Sequence, residues 1–180
     1  EICACLVGSE MCIRDREGAD ASKYSVKTSV WNPNGQKLTE QTIPLSQIKY
    51  NDNSLSQEFI IQTPTLWSPD MPALYSAETR LYEGDQLKDI YTTPFGIRSI
   101  EIIPNKGFFL NGEKTVFKGV CNHHDLGPLG AAVNDAAIRR QIRILKDMGC
   151  NAIRTSHNMP APELVRACDE MGMMLSLIHI

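Results

Sequence analysis

No lysine- or arginine-rich run occurs in this 180-residue chain, and its formal net charge is only −3. Nucleic acid and anionic membrane are therefore poor partners, because both call for a concentrated basic face. No apolar stretch approaches the ~20 residues that a membrane-spanning helix needs. There is no G-x-G-x-x-G and no Walker loop, which argues against a dinucleotide or nucleotide site. No H-E-x-x-H or C-x-x-C spacing marks a metal centre, so no cofactor is visible. What is present, 42% hydrophobic and 22% charged residues, suits a globular protein with material for a core.

The ends read differently from the middle. Residues 1–16, "EICACLVGSEMCIRDR", hold three of the six cysteines. They have no clean periodicity, and no basic region precedes their short apolar part, so they lack a signal-peptide layout. Residues 1–16 and the tail 176–180 are read as non-native segments and set aside from fold reasoning. On this reading the chain is an internal fragment, and nothing in it assigns a compartment. The remaining Cys121, Cys150 and Cys168 are read as small buried hydrophobes, not redox or zinc ligands.

From Lys23 to about Ile100 the hydrophobic period is two. Tyr24, Val26, Thr28 and Val30 alternate with polar neighbours, and "NPNG" at Asn32 to Gly35 supplies a turn. "QEFIIQT" and "ALYSAETRLYEGDQLKDIY" follow, the latter folded about Glu83-Gly84-Asp85. Short strands and no convincing helix predict an immunoglobulin-like β-sandwich over residues 17–100.

After Pro104 the period changes. A hairpin is expected about Asn111-Gly112, then an apolar strand from Thr115 to Val120. Asn134 can cap a helix whose apolar face is Ile138, Ile142, Leu145 and Met148, with Gly149 ending it. "NAIRTS" returns as a strand. Pro160 and Pro162 suit the first turn of a second helix with Leu164, Cys168 and Met171 buried, ended by Gly172 before a third strand, "MML". Strand, helix, strand, helix, strand implies βαβ units in a parallel sheet over residues 101–175.

Chemistry in such a sheet gathers where strands end. The first strand ends on Asn122, His123, His124 and Asp125, and the second on Arg154, His157 and Asn158. Two polar clusters thus converge at neighbouring strand mouths. A ring of donors and acceptors without a nucleophile motif suits a polyhydroxylated ligand such as a sugar, though periodicity alone does not separate a barrel from an open parallel sheet.

The segments "LWSPDMPALY", "FGIRSIEI", "FFLNGE", "FKGVCNHHDLGPLGAA" and "LKDMGCNAIRTSHNMPAPELVRACDEMGM" resemble glycoside hydrolase family 2, nearest its β-galactosidase branch. The resemblance runs over nearly all of residues 23–174, and the "NAIRTSH" block is its most specific part. It implies a multidomain β plus α/β protein: the sandwich, then the incomplete βαβαβ opening of a (β/α)₈ TIM barrel. By the same resemblance His123 and His157 match substrate-contacting histidines, Asp125 a position that contacts sugar hydroxyls, and Arg154 an arginine supporting the site floor; Asn158 completes the substrate-binding set. Where the family often carries Asn-Arg/Lys-His-Glu, this chain has Cys121-Asn122-His123-His124, and His124 is expected to point away from the sugar.

The resemblance also implies that the catalytic acid/base and nucleophilic glutamates lie on later strands, beyond residue 180. Glu163 and Glu170 fall in the second helix and are read as surface charges. The expectation is a fragment of a retaining β-glycosidase acting on a β-linked sugar, first a β-galactosidase, and inactive by itself. The alternatives are a β-glucuronidase of the same family, a non-catalytic carbohydrate-binding sandwich module, or an immunoglobulin-like scaffold leading into an unrelated α/β enzyme. A divalent metal and a homo-oligomeric parent are left open.

Overall fold

The computed structural model describes residues 2–6, 21–47, 57–156 and 158–176. The chain divides into two compact units, Glu1–Thr65 with Leu74–Ile97, and Leu66–Ala73 with Arg98–Ile180. The main boundary lies close to the expected residue 100. The segment 66–73 is the exception, since it belongs to the second unit although the first surrounds it in sequence.

The first unit is antiparallel. Strands β1 (Ile2–Leu6) and β4 (Gln57–Ile61) form one pair. Strands β2 (Tyr24–Trp31), β3 (Lys37–Pro44), β5 (Tyr75–Glu83) and β6 (Gln86–Phe95) form a sheet in the order β3-β2-β5-β6. The period-two pattern acts as expected: Val26, Thr28 and Val30 on β2 are buried and face Leu81, Thr79 and Ala77 on β5. The buried Thr28 hydroxyl donates to Gln57 Oε1, so the polar core position is not orphaned. In the β2–β3 turn Asn32 Oδ1 accepts from the amides of Asn34 and Gln36 at 3.0 and 2.9 Å. Pro94 lies on β6, an outer strand of the sheet, where its missing N–H costs least. Within the segment 1–16 that was set aside from fold reasoning, Ile2–Leu6 pairs along the whole of β4.

The second unit opens with an antiparallel meander, β7 (Ile100–Ile103), β8 (Gly107–Leu110) and β9 (Glu113–Lys114). Its β8–β9 turn uses Asn111 and Gly112 at φ of 53° and 81°, the left-handed conformations such a hairpin demands. Then β10 (Gly119–Cys121), β11 (Ala152–Arg154) and β12 (Met174–Ser176) make a parallel sheet, linked by helices α1 (Asp135–Asp147) and α2 (Pro162–Met171). The helices and sheet share a core of Ile138, Ile142, Leu145, Ile153, Ala167, Cys168 and Met173. Asn134 Oδ1 accepts from Ala137 N at 3.0 Å, the expected cap. Pro162 starts α2 and Gly172, at φ 71°, ends it.

Three details depart from expectation. Met148 is 69% exposed, because α1 ends at Asp147 and Met148 turns away from the apolar stripe. Pro160 lies ahead of α2 and not in its first turn. The strand foreseen from Thr115 spans only Gly119–Cys121. Its earlier residues are held in part by a side chain: Lys118 N donates to Asn151 Oδ1 at 2.8 Å, and Asn151 Nδ2 donates to Val116 O at 3.0 Å, while Lys118 O accepts from Asn151 N at 2.8 Å.

Segment 66–73 docks on α2. Trp67 is 2% exposed, its indole N–H donates to Asp169 O at 2.8 Å, and the Arg98 guanidinium lies 5.0 Å from the ring centroid. Lys146 Nζ donates to Pro69 O at 2.8 Å and Met171 O at 2.7 Å, satisfying carbonyls at the helix C-terminus. A Cβ at Gly172 would lie 2.2 Å from Pro69 O, so only glycine permits this approach.

Candidate functional site

The parallel register places Cys121, Arg154 and Ser176 side by side at the C-terminal ends of their strands. Side chains alternate along each strand. Val120 and Ile153 pack toward the helices, whereas Cys121 and Arg154 are exposed on the opposite face. A Cβ at Gly119 would sit 2.0 Å from Ala152 O, so the lower end of the β10–β11 contact is set by backbone approach. At the upper end the pairing continues one residue beyond β10, with Asn122 N donating to Arg154 O at 2.8 Å.

The chain leaving β10 folds on itself before reaching α1. Asp125 N donates to His123 O at 2.9 Å, and Asp125 Oδ1 accepts from Gly127 N at 2.7 Å, an Asx-type turn. Leu126 N donates to Gly130 O and Gly130 N to Gly127 O, both at 2.9 Å. The chain leaving β11 makes a tighter turn, in which Asn158 N donates to Thr155 O at 3.0 Å.

Between these loops lies a cleft whose empty volume, open solvent included, is about 540 Å³. His123, His124, Asp125 and Asn158, all exposed, form part of its wall, and Leu126, Ile138 and Leu164 contribute apolar surface. The structure therefore brings together three residues expected at the site: His123, Asp125 and Asn158. It adds His124, which the sequence had turned away. Arg154 is not on the cleft wall; it stands on the other face of β11. His157 lies outside the described residues.

The sequence did not single out Thr155, which lines the same cleft and is 5% exposed. Strand parity holds the missed signal, since Thr155 falls two residues after Ile153 and so turns to the helix side. Asp125 is the one acid on the cleft wall among the described residues. That set can donate and accept hydrogen bonds around a polyhydroxylated ligand, yet one carboxylate cannot act as nucleophile and proton donor together. Among the described residues no group of three or more His, Cys, Asp or Glu is placed to hold a metal ion. Nor is any described helix long and apolar enough to cross a membrane. The Cys168 thiol, buried in the α1–α2 core, is pushed up to about 12 by burial, which removes it from nucleophilic chemistry.

The model of glycosyl hydrolases family 2 matches residues 11–98, and that of glycosyl hydrolases family 2, TIM barrel domain, matches residues 101–176. A β-galactosidase of Bacteroides ovatus is 52% identical over 120 residues, covering 67% of this chain and 14% of the relative. A putative β-glucuronidase of Formosa agariphila is 42% identical over 120 residues, covering 67% of this chain and 12% of the relative. Among solved structures, a β-glycosidase from Bacteroides vulgatus superposes with a TM-score of 0.76 at 40% identity, covering 88% of this chain and 20% of that one. The chain thus spans about one seventh of the length of the Bacteroides ovatus relative.

Proposed function

Because this chain belongs to glycosyl hydrolase family 2, we propose that it forms part of a retaining β-glycosidase, with a β-galactosidase favoured. The observation that carries the reading is the polar cluster of His123, Asp125 and Asn158 on one cleft at the mouths of adjacent parallel strands. In this reading these residues and His157 hold and orient the sugar, Arg154 supports the floor of the site from the other face of β11, and other strands of the barrel supply the chemistry. Retaining hydrolysis needs two carboxyl groups about 5–5.5 Å apart, one attacking the anomeric carbon and one exchanging a proton with the leaving group. Glu163 and Glu170 are not that pair: both lie on α2, and Glu170 accepts a hydrogen bond from Arg139 on α1. Since Asp125 is the one acid on the cleft wall among the described residues, this reading takes the nucleophile and the acid/base from outside this chain.

A β-glucuronidase is the second reading, favoured by the likeness to the Formosa agariphila protein. The test assays the purified 180-residue chain and the complete enzyme on nitrophenyl β-galactoside and β-glucuronide. The chain is expected to give no turnover above the buffer blank, and the complete enzyme to prefer the galactoside. Turnover by the chain alone would put a catalytic pair within it and overturn these assignments. Preference for the glucuronide would select the second reading.

A further inference from the structure

Among the described residues, two buried side-chain polar atoms have no hydrogen-bond partner: Asn122 Nδ2 and Thr155 Oγ1. Both belong to the wall of the same cleft. An unpartnered buried donor or hydroxyl costs stability, and each such group in a folded protein calls for an explanation. That the two occur together makes a shared explanation the economical one.

Their positions follow from the sheet. Cys121 and Arg154 are register partners, and Asn122 N donates to Arg154 O, so the next row up sets Asn122 beside Thr155. Parity turns both toward the helices, above Val120 and Ile153 and away from the face that carries Arg154. Although neighbouring strands are about 4.8 Å apart, the two atoms do not bond to each other or to any other group among the described residues. Two hydrogen bonds of about 2.8 Å to one water oxygen span such a gap well. Buried waters commonly make about three hydrogen bonds in polar, roomy sites. Gln141, on α1, lines the cleft as well and is the third candidate partner.

We propose that Asn122 and Thr155 hold one buried water that ties the loop after β10 to the loop after β11. They are then positioning residues: Asn122 immediately precedes His123, and Thr155 opens the turn that carries Asn158. The inference rests on the sugar-site reading for its effect on turnover, and on the sheet geometry alone for the water itself. It places the tie on the helix side of the strand ends, in the wall of the cleft beside the residues assigned to the sugar.

The test uses Thr155→Val, which keeps shape and removes the hydroxyl, and Thr155→Ser, which keeps the hydroxyl, both in the complete enzyme. Thr155→Val is expected to lower kcat about tenfold with KM within about twofold, the pattern of misplaced catalytic-site groups. Thr155→Ser should recover most of the loss. A crystal structure of the wild-type enzyme should show a water within about 3.2 Å of both atoms, lost in Thr155→Val. Unchanged kcat in Thr155→Val, whether Tm rises or falls, would overturn the positioning role. A tenfold rise in KM at constant kcat would mean that the hydroxyl meets the sugar directly, which also overturns it. If the wild-type enzyme turns over no glycoside, the functional reading fails separately, and the water stands or falls on the electron density.

Discussion

The two units bury their sheets by different means. In the first, the antiparallel sheet alternates buried and exposed positions, with Val26, Val30, Tyr75 and Ala77 inside, and Thr28 passing its polar group to Gln57. In the second, the parallel sheet is covered by α1 and α2 on one face only. Cys121, Arg154 and Ser176 on the other face are exposed, and β10 and β12 have no outer neighbour among the described residues. The difference teaches where function can reside. At this parallel sheet the C-terminal strand ends stay open to other elements and to ligand. The antiparallel unit offers no comparable cluster of histidine, arginine and carboxylate among its described residues.

The strongest way to break this division is Trp67→Ala. In sequence Trp67 falls inside the antiparallel unit, yet it is buried in the second and bonded to Asp169 O. Truncation should cost about 3–5 kcal/mol, the usual range for a buried Trp. Amide exchange should show the loss in α1, α2 and β10–β12 while β2 and β5 keep their protection. Equal loss in both units would show that segment 66–73 is misassigned. Asn134→Ala sharpens the same contrast at a smaller scale, removing the α1 cap for about 1 kcal/mol. Its chemical-denaturation midpoint should fall and be largely restored by Asn134→Ser; no change would mean that the cap carries no energy.

The smallest expected effect is a pH dependence confined to the second unit. Hydrogen bonding from Arg139, then from Arg166, holds the Asp135 carboxyl below the usual carboxylate range. A carboxyl with a depressed folded-state pKa adds stability above its unfolded value, near pH 4, and loses it as pH falls toward the folded value. Asp135→Asn should lower Tm slightly at pH 7, by an amount that salt reduces because the pair is solvent-screened. The gap to wild type should begin to narrow below about pH 4 and close only once the pH lies below the folded-state value. A gap that stays the same at every pH would assign the effect to the helix end and not to the ion pairs.

Much of this architecture was legible in the residues. Period-two alternation marked β2 and β5, and Asn134, Gly149, Pro162 and Gly172 marked helix ends, because caps and special φ values leave local signatures. Segment 66–73 was not legible, since its hydrogen-bond partners on α1 and α2 are more than 70 residues away and no local pattern reports them. The late start of β10 was hidden for a related reason: the side chain of Asn151, across the sheet, takes Lys118 N and Val116 O. At the site, His123, Asp125 and Asn158 could be assigned to strand mouths from spacing. The buried pair Asn122 and Thr155 needed the register, because both look like ordinary loop residues until the strands are aligned.

The central claim is that the strand-end cluster of the second unit orients a sugar for chemistry performed elsewhere in the barrel. Steady-state kinetics of His123→Ala in the complete enzyme, on nitrophenyl β-galactoside, tests it most directly, with the exposed Tyr91→Ala of the antiparallel unit as the control. The account predicts that His123→Ala lowers kcat/KM by about 10²-fold, the scale of losing one preorganised donor, while Tyr91→Ala and the Tm of both variants stay near wild type. A folded His123→Ala enzyme with wild-type kcat/KM would contradict it.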